Sequence, residues 1–236
     1  MNERASEVVV SDDDILNTWR EWLEQIEEDI EELYDFRRIY KDTREIVSKN
    51  PTVQAPGLYH DFVTSCYVAY AVMAVRRQAG TPHKDSVSLT RLLEEIQTQP
   101  SIMSRQRFVA MYPKGPARDW LSGPGYDHFS DKNGNQVSSE VVQQDRDRLN
   151  LAVKNVTILA TKRVAHLDYR KPIDPVPTFV DLDKAIDTLG SVFIKYNALL
   201  TNIDMVSMES TIVVDWTAIF RIPWLPGVSA ESDSDE

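Results

Sequence analysis

The sequence contains a single cysteine and no long apolar run. Because Cys66 is the only cysteine among the 236 residues, an internal disulfide is excluded and a reducing compartment is expected. No apolar stretch approaches the roughly 18 residues that a transmembrane helix requires. The first residues, MNERASEVVVSDDD, lack a basic segment followed by an apolar one, so we expect no secretory signal. These absences predict a soluble, cytoplasmic protein without membrane contact.

The usual spacings of metal, nucleotide and hydrolase sites are also missing. None of the four histidines pairs with another histidine or a cysteine at zinc-finger or HExxH spacing; they are His60, His83, His128 and His166. The sequence has neither a P-loop nor a GxGxxG motif, and it has no GxSxG elbow. We therefore expect no metal and no cofactor.

Basic residues are outnumbered by acidic ones. The 26 Lys and Arg face 37 Asp and Glu, which gives a net charge of −11. This balance argues against an extended electrostatic surface for nucleic acid, although a local basic patch is compatible with it. We expect residues 1–13 to be flexible, residues 14–224 to form one helical domain, and residues 225–236 to form a disordered acidic tail.

Apolar residues recur at three- and four-residue steps, which predicts an all-α bundle of roughly five to seven helices. The first helix is predicted from Asp14 to Ser48, with a break or bend near Asp35. The second is predicted from Tyr59 to Gln78, and its apolar residues lie nearly all round it. That pattern places the second helix at the bundle centre or in a dimer interface, and it predicts that Cys66 is a buried core residue.

The later segments are bounded by capping residues and prolines. A third helix is predicted after Asp85 or Ser86, and a shorter one after Ser101. The Gly- and Pro-rich stretch 113–135 is predicted to be a long loop. Another helix runs from Ser138 or Ser139 to about His166. Thr178 and Asp181 resemble a capping box at the start of the last long helix, and the terminal DWTAIFRIPWL is expected to pack its aromatic rings onto the bundle.

The segment TKRVAHLD, residues 161–168, combines groups that can act on a phosphodiester. His166 can transfer protons near neutral pH, and a guanidinium or ammonium beside it can hold a phosphate. Such a set can cleave RNA without metal, by activating a ribose 2′-hydroxyl and stabilising the charged phosphorane. The alternative is that His166 only caps carbonyl groups at a helix end.

Several blocks of the chain resemble the AbiU-type branch of HEPN domains, from bacterial abortive-infection systems. They are TKRVAHLD, the Pro-rich linker after it, DLDKAIDTLGSVFIKYNALL, YHDFVTSCYVAYAVMAVRRQ, DSVSLTRLLEEI and DWTAIF. The resemblance implies a helical HEPN bundle that forms a homodimer. It also implies a metal-independent ribonuclease site, in which an Arg and a His face a cleft shared by two subunits. Four to six residues lie between that Arg and that His in the sequence.

The sequence departs from that pattern at the arginine. Counting back from His166, the expected positions hold Leu159, Ala160 and Thr161. Arg163 is closer, with two residues between it and His166, and a helical turn of 3.6 residues places it on roughly the same face as the histidine. It is therefore a candidate substitute for the arginine, and the alternative is an inactive site. The resemblance carries over to His166 and Asp168.

The predicted site therefore has two parts. The catalytic residues are His166, Arg163 and Asp168, and the residues that bind RNA phosphate are Lys162, Arg76 and Arg77. The alternative for the two adjacent arginines is that they complement a helix dipole and pair with Asp or Glu.

Two functions remain open from the sequence. One is a phage-defence or toxin–antitoxin protein that binds or cleaves RNA, with an antitoxin or another protein as a partner. The other is a non-catalytic helical module for dimerisation or protein interaction.

Overall fold

The computed structural model describes residues 11–53, 57–115, 117–130, 134–165 and 176–222, and within these ranges all regular structure is helical. The fold class predicted from the sequence is confirmed. The α-helices are α1 (Asp12–Lys49), α2 (Gly57–Ala79), α3 (Leu89–Thr98), α4 (Arg105–Ala110), α5 (Ala117–Asp127), α6 (Ser139–Leu159) and α7 (Phe179–Thr201). A π-helical segment, Ala160–Ala165, continues α6, and short 3₁₀ turns cover Pro51–Val53 and Trp216–Arg221.

Four long helices, α1, α2, α6 and α7, pack against one another and enclose the core. Their largest buried side chains include Trp19 and Ile26 of α1 and Phe193 and Tyr196 of α7. The short helix α3 packs on α1, α2 and α6, while α4 and α5 pack on each other. Within the described part of the chain, no helix is long and apolar enough to cross a membrane.

Helix α1 is continuous, so the predicted break near Asp35 is wrong. Ser11 and Asp14 form a capping box at its start, and the helix runs to Lys49 before Pro51. Buried residues continue on both sides of Asp35, with Leu33 and Tyr34 before it and Arg37 after it. Because α1 packs against both α2 and α7, tertiary contacts support the helix through position 35.

Helix α2 is buried on one side only, which corrects two expectations. Its buried residues lie mainly in the second half and include Ala71, Val72 and Val75. Cys66 is exposed rather than buried. Beside it, the first half of α2 presents Leu58 and Phe62 to solvent, with exposed fractions of 80% and 63%. An all-round apolar sequence does not indicate which side meets the bundle, and here one apolar side remains outside it.

The predicted long loop contains a helix. Ala117–Asp127 is helical although Pro124 lies inside it. The helix is fixed by tertiary contacts, because the buried Tyr126 hydroxyl donates a 2.6 Å hydrogen bond to the Met103 carbonyl oxygen. Gly125 lets this turn approach closely, since a Cβ there would lie 3.4 Å from the Phe108 ring.

Most helix starts lie within a few residues of the predicted ones. Thr178 and Asp181 form the expected capping box at α7. Ser88 caps α3 and Ser104 caps α4, because their hydroxyls accept hydrogen bonds from the backbone of the first turn. These caps lie three or fewer residues after the positions expected from the sequence.

The C-terminal turn, Trp216–Arg221, buries none of its residues, contrary to expectation. Its rings pack on each other instead, with the centroids of Trp216 and Phe220 6.2 Å apart. Asp215 holds the turn locally through hydrogen bonds from Thr217 and Arg221. These local bonds hold the turn together.

Candidate functional site

The predicted catalytic segment begins in the π-helical turn at the end of α6. Ala160 is buried there, while Thr161 and Lys162 are half-buried. His166 and Asp168 lie outside the described residues, and Arg163 is described only in its backbone. The catalytic roles of these three residues therefore stay predictions. π-helical turns inside α-helices are rare and occur frequently at functional sites.

The π-helical segment changes the argument that placed Arg163 on the face of His166. A π-helix closes its hydrogen bonds between residues five apart, so its turns hold more residues than those of an α-helix. The spacing of one α-helical turn between positions 163 and 166 does not apply within Ala160–Ala165.

Thr161 is one of the three positions at which the resemblance described above implies an arginine. Its hydroxyl donates a 2.9 Å hydrogen bond to the carbonyl oxygen of Thr157, one turn earlier in the helix. Thr157 in turn donates to Val153, at 2.8 Å. These bonds orient both hydroxyls toward the helix backbone, so Thr161 supplies neither a positive charge nor a long donor at this position.

An open groove of about 530 Å³ runs beside the π-helical segment. One wall is the end of α2 and the following loop, Ala79–Pro82, together with Thr90 of α3. The opposite wall is the outer face of α6 and the first residues of the π-helical segment. We call this the α6 groove, and its lining on that side includes Arg146, Asn150, Lys154, Thr157, Thr161 and Lys162.

Among the described residues, three cations line the α6 groove, and two of them have no partner within that part of the chain. The Arg146 guanidinium lies 3.5 Å from Glu94 Oε1 and also binds the side chain of Gln97. Lys154 and Lys162 form no ion pair or hydrogen bond with any residue that the structure describes. From position 146 to position 162 a helix extends about 24 Å, which is long enough to follow an extended polyanion. The two free ammonium groups are the strongest feature of the groove for binding phosphate.

The adjacent arginines at the end of α2 have different environments. Arg77 binds Asp29 of α1, with 3.1 Å between Arg77 Nε and Asp29 Oδ2 and a second bond between Nη2 and Oδ1. This hydrogen bond to Asp29 raises the pKa of Arg77 above its ordinary value. Arg76 is half-buried and has no ion pair among the described residues.

Arg76 lies close to the α6 groove. An added Cβ on Gly80, which lines the groove, would lie 3.6 Å from Arg76 Cγ. The backbone N–H of Gly80 donates a 2.8 Å hydrogen bond to the Arg76 carbonyl oxygen, so the two residues share the last turn of α2. Of the predicted phosphate-binding residues, Arg76 and Lys162 lie at or near the α6 groove, whereas Arg77 forms an ion pair with Asp29.

Sequence reasoning missed Arg146 and Lys154. The cations at 146, 154 and 162 are eight residues apart, so they form no cluster that composition alone would reveal. Only the packing of α6 beside the end of α2 makes them line one groove. Among the described residues there is no group of three His, Cys, Asp or Glu side chains that could hold a metal ion.

Comparison with known proteins identifies one family. The family model HEPN_AbiU2, described as AbiU2, matches residues 16–215. The match covers all of the bundle helices and the groove, and its N-terminal boundary lies within the first turns of α1. Neither the comparison with curated proteins nor the comparison with solved structures finds a match.

Proposed function

Because the chain belongs to the AbiU2 family of HEPN domains, we propose that it is an abortive-infection-type protein that acts on RNA through the α6 groove. The observation that carries this proposal is the pair of ammonium groups, Lys154 and Lys162, which have no partner among the described residues and line a groove that leads to the π-helical segment. Phosphate binding by lysine and arginine releases counterions and supports sequence-independent affinity even when the whole chain is acidic.

The proposed reaction is metal-independent cleavage of RNA with His166 as the general base. The imidazole takes the proton of a ribose 2′-hydroxyl, the 2′-oxygen attacks the adjacent phosphorus, and the bond from phosphorus to the 5′-oxygen of the next nucleotide breaks. The leaving 5′-oxygen takes a proton from solvent, and the imidazolium releases its proton to solvent. The products are a 2′,3′-cyclic phosphate and a 5′-hydroxyl end. Lys162, and Arg163 where it reaches the phosphate, stabilise the charge that develops on the phosphorane, and Asp168 orients the imidazole.

Binding is tested with a fluorescein-labelled single-stranded RNA and fluorescence anisotropy at several salt concentrations. We expect the double variant Lys154→Gln/Lys162→Gln to weaken binding and to reduce the dependence of log K on log salt concentration by about 1.4, because each phosphate contact on a single strand contributes about 0.7. The matched control is Lys114→Gln, since Lys114 is an exposed lysine outside the groove. Equal salt dependence in the double variant, the control and the wild type would contradict RNA binding in this groove.

Cleavage is tested with the same RNA in the presence of a metal chelator. Wild-type protein is expected to produce fragments with cyclic phosphate ends, and His166→Ala is expected to produce none. If both proteins bind RNA and neither cleaves it, the result supports an RNA-binding domain and contradicts the nuclease.

The second candidate function is a non-catalytic interaction module. Thr161 in place of the family arginine favours it, and so does the exposed apolar side of α2, which includes Leu58, Tyr59, Phe62 and Cys66. We propose that this side of α2 contacts a second copy of the chain, since exposed apolar patches on one helix face mark protein interfaces. An antitoxin or another protein is the alternative occupant of the same face.

Sedimentation velocity distinguishes these occupants. If two copies associate through α2, Phe62→Glu converts a dimer to a monomer, while Leu151→Glu leaves the dimer intact. Leu151 is a suitable control because it is 74% exposed on α6, outside the apolar side of α2. A wild-type protein that is monomeric at all concentrations would contradict the homodimer.

A further inference from the structure

Three aromatic rings and an arginine form a second feature at one end of the bundle. The rings of Tyr40 and Tyr67 are stacked, with centroids 4.1 Å apart and planes 11° apart. The ring of Phe179 is nearly parallel to both, with centroids 5.6 Å from Tyr40 and 6.4 Å from Tyr67. The guanidinium of Arg44 lies 5.7 Å from the Phe179 centroid and 5.9 Å from that of Tyr40. We call these four residues the aromatic platform.

The platform is partly open to solvent. Tyr40 and Tyr67 are buried and form its base, whereas Phe179 is 39% exposed. Beside the rings is a cavity of about 390 Å³, a size within the usual range for small-ligand sites. The distance of Arg44 from the rings is longer than direct stacking, and its side chain is exposed, so it can move to admit a flat ligand.

Of the described cations that line the cavity, Arg44 is the one without an ion pair to a described residue. Asp183 pairs with Lys41, at 2.8 Å, and Glu45 pairs with Lys49. Arg44 has no carboxylate partner among the described residues. A ligand that combines a flat ring with a negative charge, joined by a short linker as in a nucleotide, would satisfy both Phe179 and Arg44.

The platform lies at the same end of the bundle as the π-helical segment. A small cavity of about 110 Å³ separates Phe179 and Leu182 of α7 from Val156 and Leu159 of α6. Leu159 directly precedes Ala160, where the π-helical segment begins. A strand of RNA that reaches the start of the π-helical segment therefore passes close to Phe179.

From this arrangement we infer that the platform binds an unpaired base of single-stranded RNA, stacked on Phe179, with Arg44 holding the adjoining phosphate. The inference rests on the proposed function, since that function supplies RNA as the ligand. Aromatic side chains next to a cation are the usual means by which proteins bind single strands, because every base has a π-face. The α6 groove then binds backbone, and the platform fixes one base.

The inference is tested with a short 2′-O-methyl oligouridine that carries a central 2-aminopurine. The methyl group blocks cleavage, and stacking of 2-aminopurine on an aromatic ring quenches its fluorescence. Wild-type protein and Phe179→Tyr are expected to quench the emission. Phe179→Leu, which keeps apolar bulk and loses the π-face, is expected to abolish the quenching and to weaken binding about tenfold.

Arg44→Gln separates the phosphate contact from the stacking. It is expected to keep the quenching at saturating protein and to reduce the dependence of log K on log salt concentration by about 0.7. Phe220→Leu and Arg148→Gln are the matched controls, because Phe220 is 44% exposed in the C-terminal turn and Arg148 is an exposed arginine on α6. Melting temperatures of all variants show whether each is folded.

The outcomes distinguish this inference from the proposed function. Equal quenching and affinity in wild type and a folded Phe179→Leu would overturn the platform, even if unmodified RNA is cleaved. Quenching that depends on Phe179, without cleavage of unmodified RNA, would support the platform and remove the nuclease. Absence of binding to either RNA would overturn both.

Discussion

The carboxylate of Asp29 on α1 holds the guanidinium of Arg77 on α2, with 3.1 Å between Oδ2 and Nε. The same carboxylate accepts a 2.6 Å hydrogen bond from Gln78 Nε2. The Asp29 side chain is 16% exposed, so the contact lies at the edge of the α1–α2 packing. The neighbouring Arg76 has no comparable partner, and the two adjacent arginines therefore differ in their availability to a ligand.

This difference predicts opposite effects of two substitutions. Arg77→Gln is expected to lower the free energy of unfolding by about 1 kcal/mol, since it removes a half-exposed ion pair, and to leave RNA affinity nearly unchanged. Arg76→Gln is expected to weaken RNA binding and to leave stability within about 0.5 kcal/mol of the wild type. Urea unfolding and anisotropy titrations of both variants provide the measurements. A loss of RNA affinity in Arg77→Gln equal to that in Arg76→Gln would contradict this assignment.

A second prediction concerns the contact between α1 and α7. A Cβ on Gly190 would overlap the hydroxyl of Tyr34 and lie 3.1 Å from Met208 Cγ. Gly190→Ala is therefore expected to lower the free energy of unfolding by roughly 1–3 kcal/mol, although alanine favours the helical backbone. Tyr34→Phe removes the overlapping hydroxyl, at the cost of its 3.3 Å hydrogen bond to the Ile186 carbonyl oxygen.

The double variant Tyr34→Phe/Gly190→Ala provides the control for that prediction. If the hydroxyl causes the destabilisation, the double variant loses about 1 kcal/mol less than the sum of the two single variants. If the losses in free energy of unfolding of the two single variants simply add in the double variant, the Tyr34 hydroxyl is not what opposes the new methyl group. The backbone then shifts to accommodate that group.

The third prediction is a loss of stability in alkali. Burial raises the pKa of Tyr126 to about 12, against about 10 in an unfolded chain. Between these values the unfolded state releases the phenol proton and the folded state retains it. The stability from the neutral Tyr126 is therefore complete below about pH 10 and decreases as the pH rises through about 12.

Tyr126→Phe tests this dependence. At about pH 9 the variant is expected to be less stable by about 1 kcal/mol, because it lacks the hydrogen bond to the Met103 carbonyl oxygen. As the pH rises to about 11, the difference shrinks, since only the wild type must keep this buried phenol neutral. A slope remains in the variant because burial also raises the pKa of Tyr67 and of Tyr196. If the difference in free energy of unfolding between wild type and Tyr126→Phe stays constant over this pH range, the pKa of Tyr126 is the same in the folded and unfolded states.

The helices were predictable because their signals are local. The capping box of Thr178 and Asp181 uses residues three positions apart, and the buried stripe of α1 repeats at helical spacing. The exposure of Cys66 was not predictable, since the sequence around it is apolar on every side and the choice of side depends on which helices pack against α2. The helix at Ala117–Asp127 was hidden for the same reason, because Tyr126 and Gly125 stabilise it through contacts with residues far along the chain.

The candidate site was likewise predictable only where its residues lie in one short segment of the sequence. The sequence indicated Lys162 and Arg76 from their positions in short basic segments. It did not indicate Arg146, Lys154 or the aromatic platform, because these form when helices distant in sequence meet. Tyr40, Tyr67 and Phe179 come from three different helices, and no local pattern connects them.

The last prediction concerns Thr161, one of the positions at which the resemblance to HEPN domains implies an arginine. Thr161 lines the α6 groove. Four residues lie between Thr161 and His166, which agrees with the spacing of four to six that the resemblance implies. Thr161→Arg places a guanidinium at the expected position, where it can bind the phosphorane through two donors. Because one donor to a developing oxyanion contributes about 10²–10³ in rate, we expect cleavage of RNA to rise at least about tenfold.

The controls for this substitution separate charge and catalysis from binding. Thr161→Lys supplies the charge without the paired donors and is expected to give a smaller increase, while Thr161→Val removes only the hydroxyl and its 2.9 Å hydrogen bond to Thr157. The same increase must disappear in Thr161→Arg/His166→Ala, since the guanidinium acts only together with the base. Single-turnover cleavage rates at saturating protein exclude a contribution from tighter binding. An increase that persists without His166 would place the catalytic base elsewhere, and no increase with arginine at 161 would show that the groove does not bring a phosphodiester to this position.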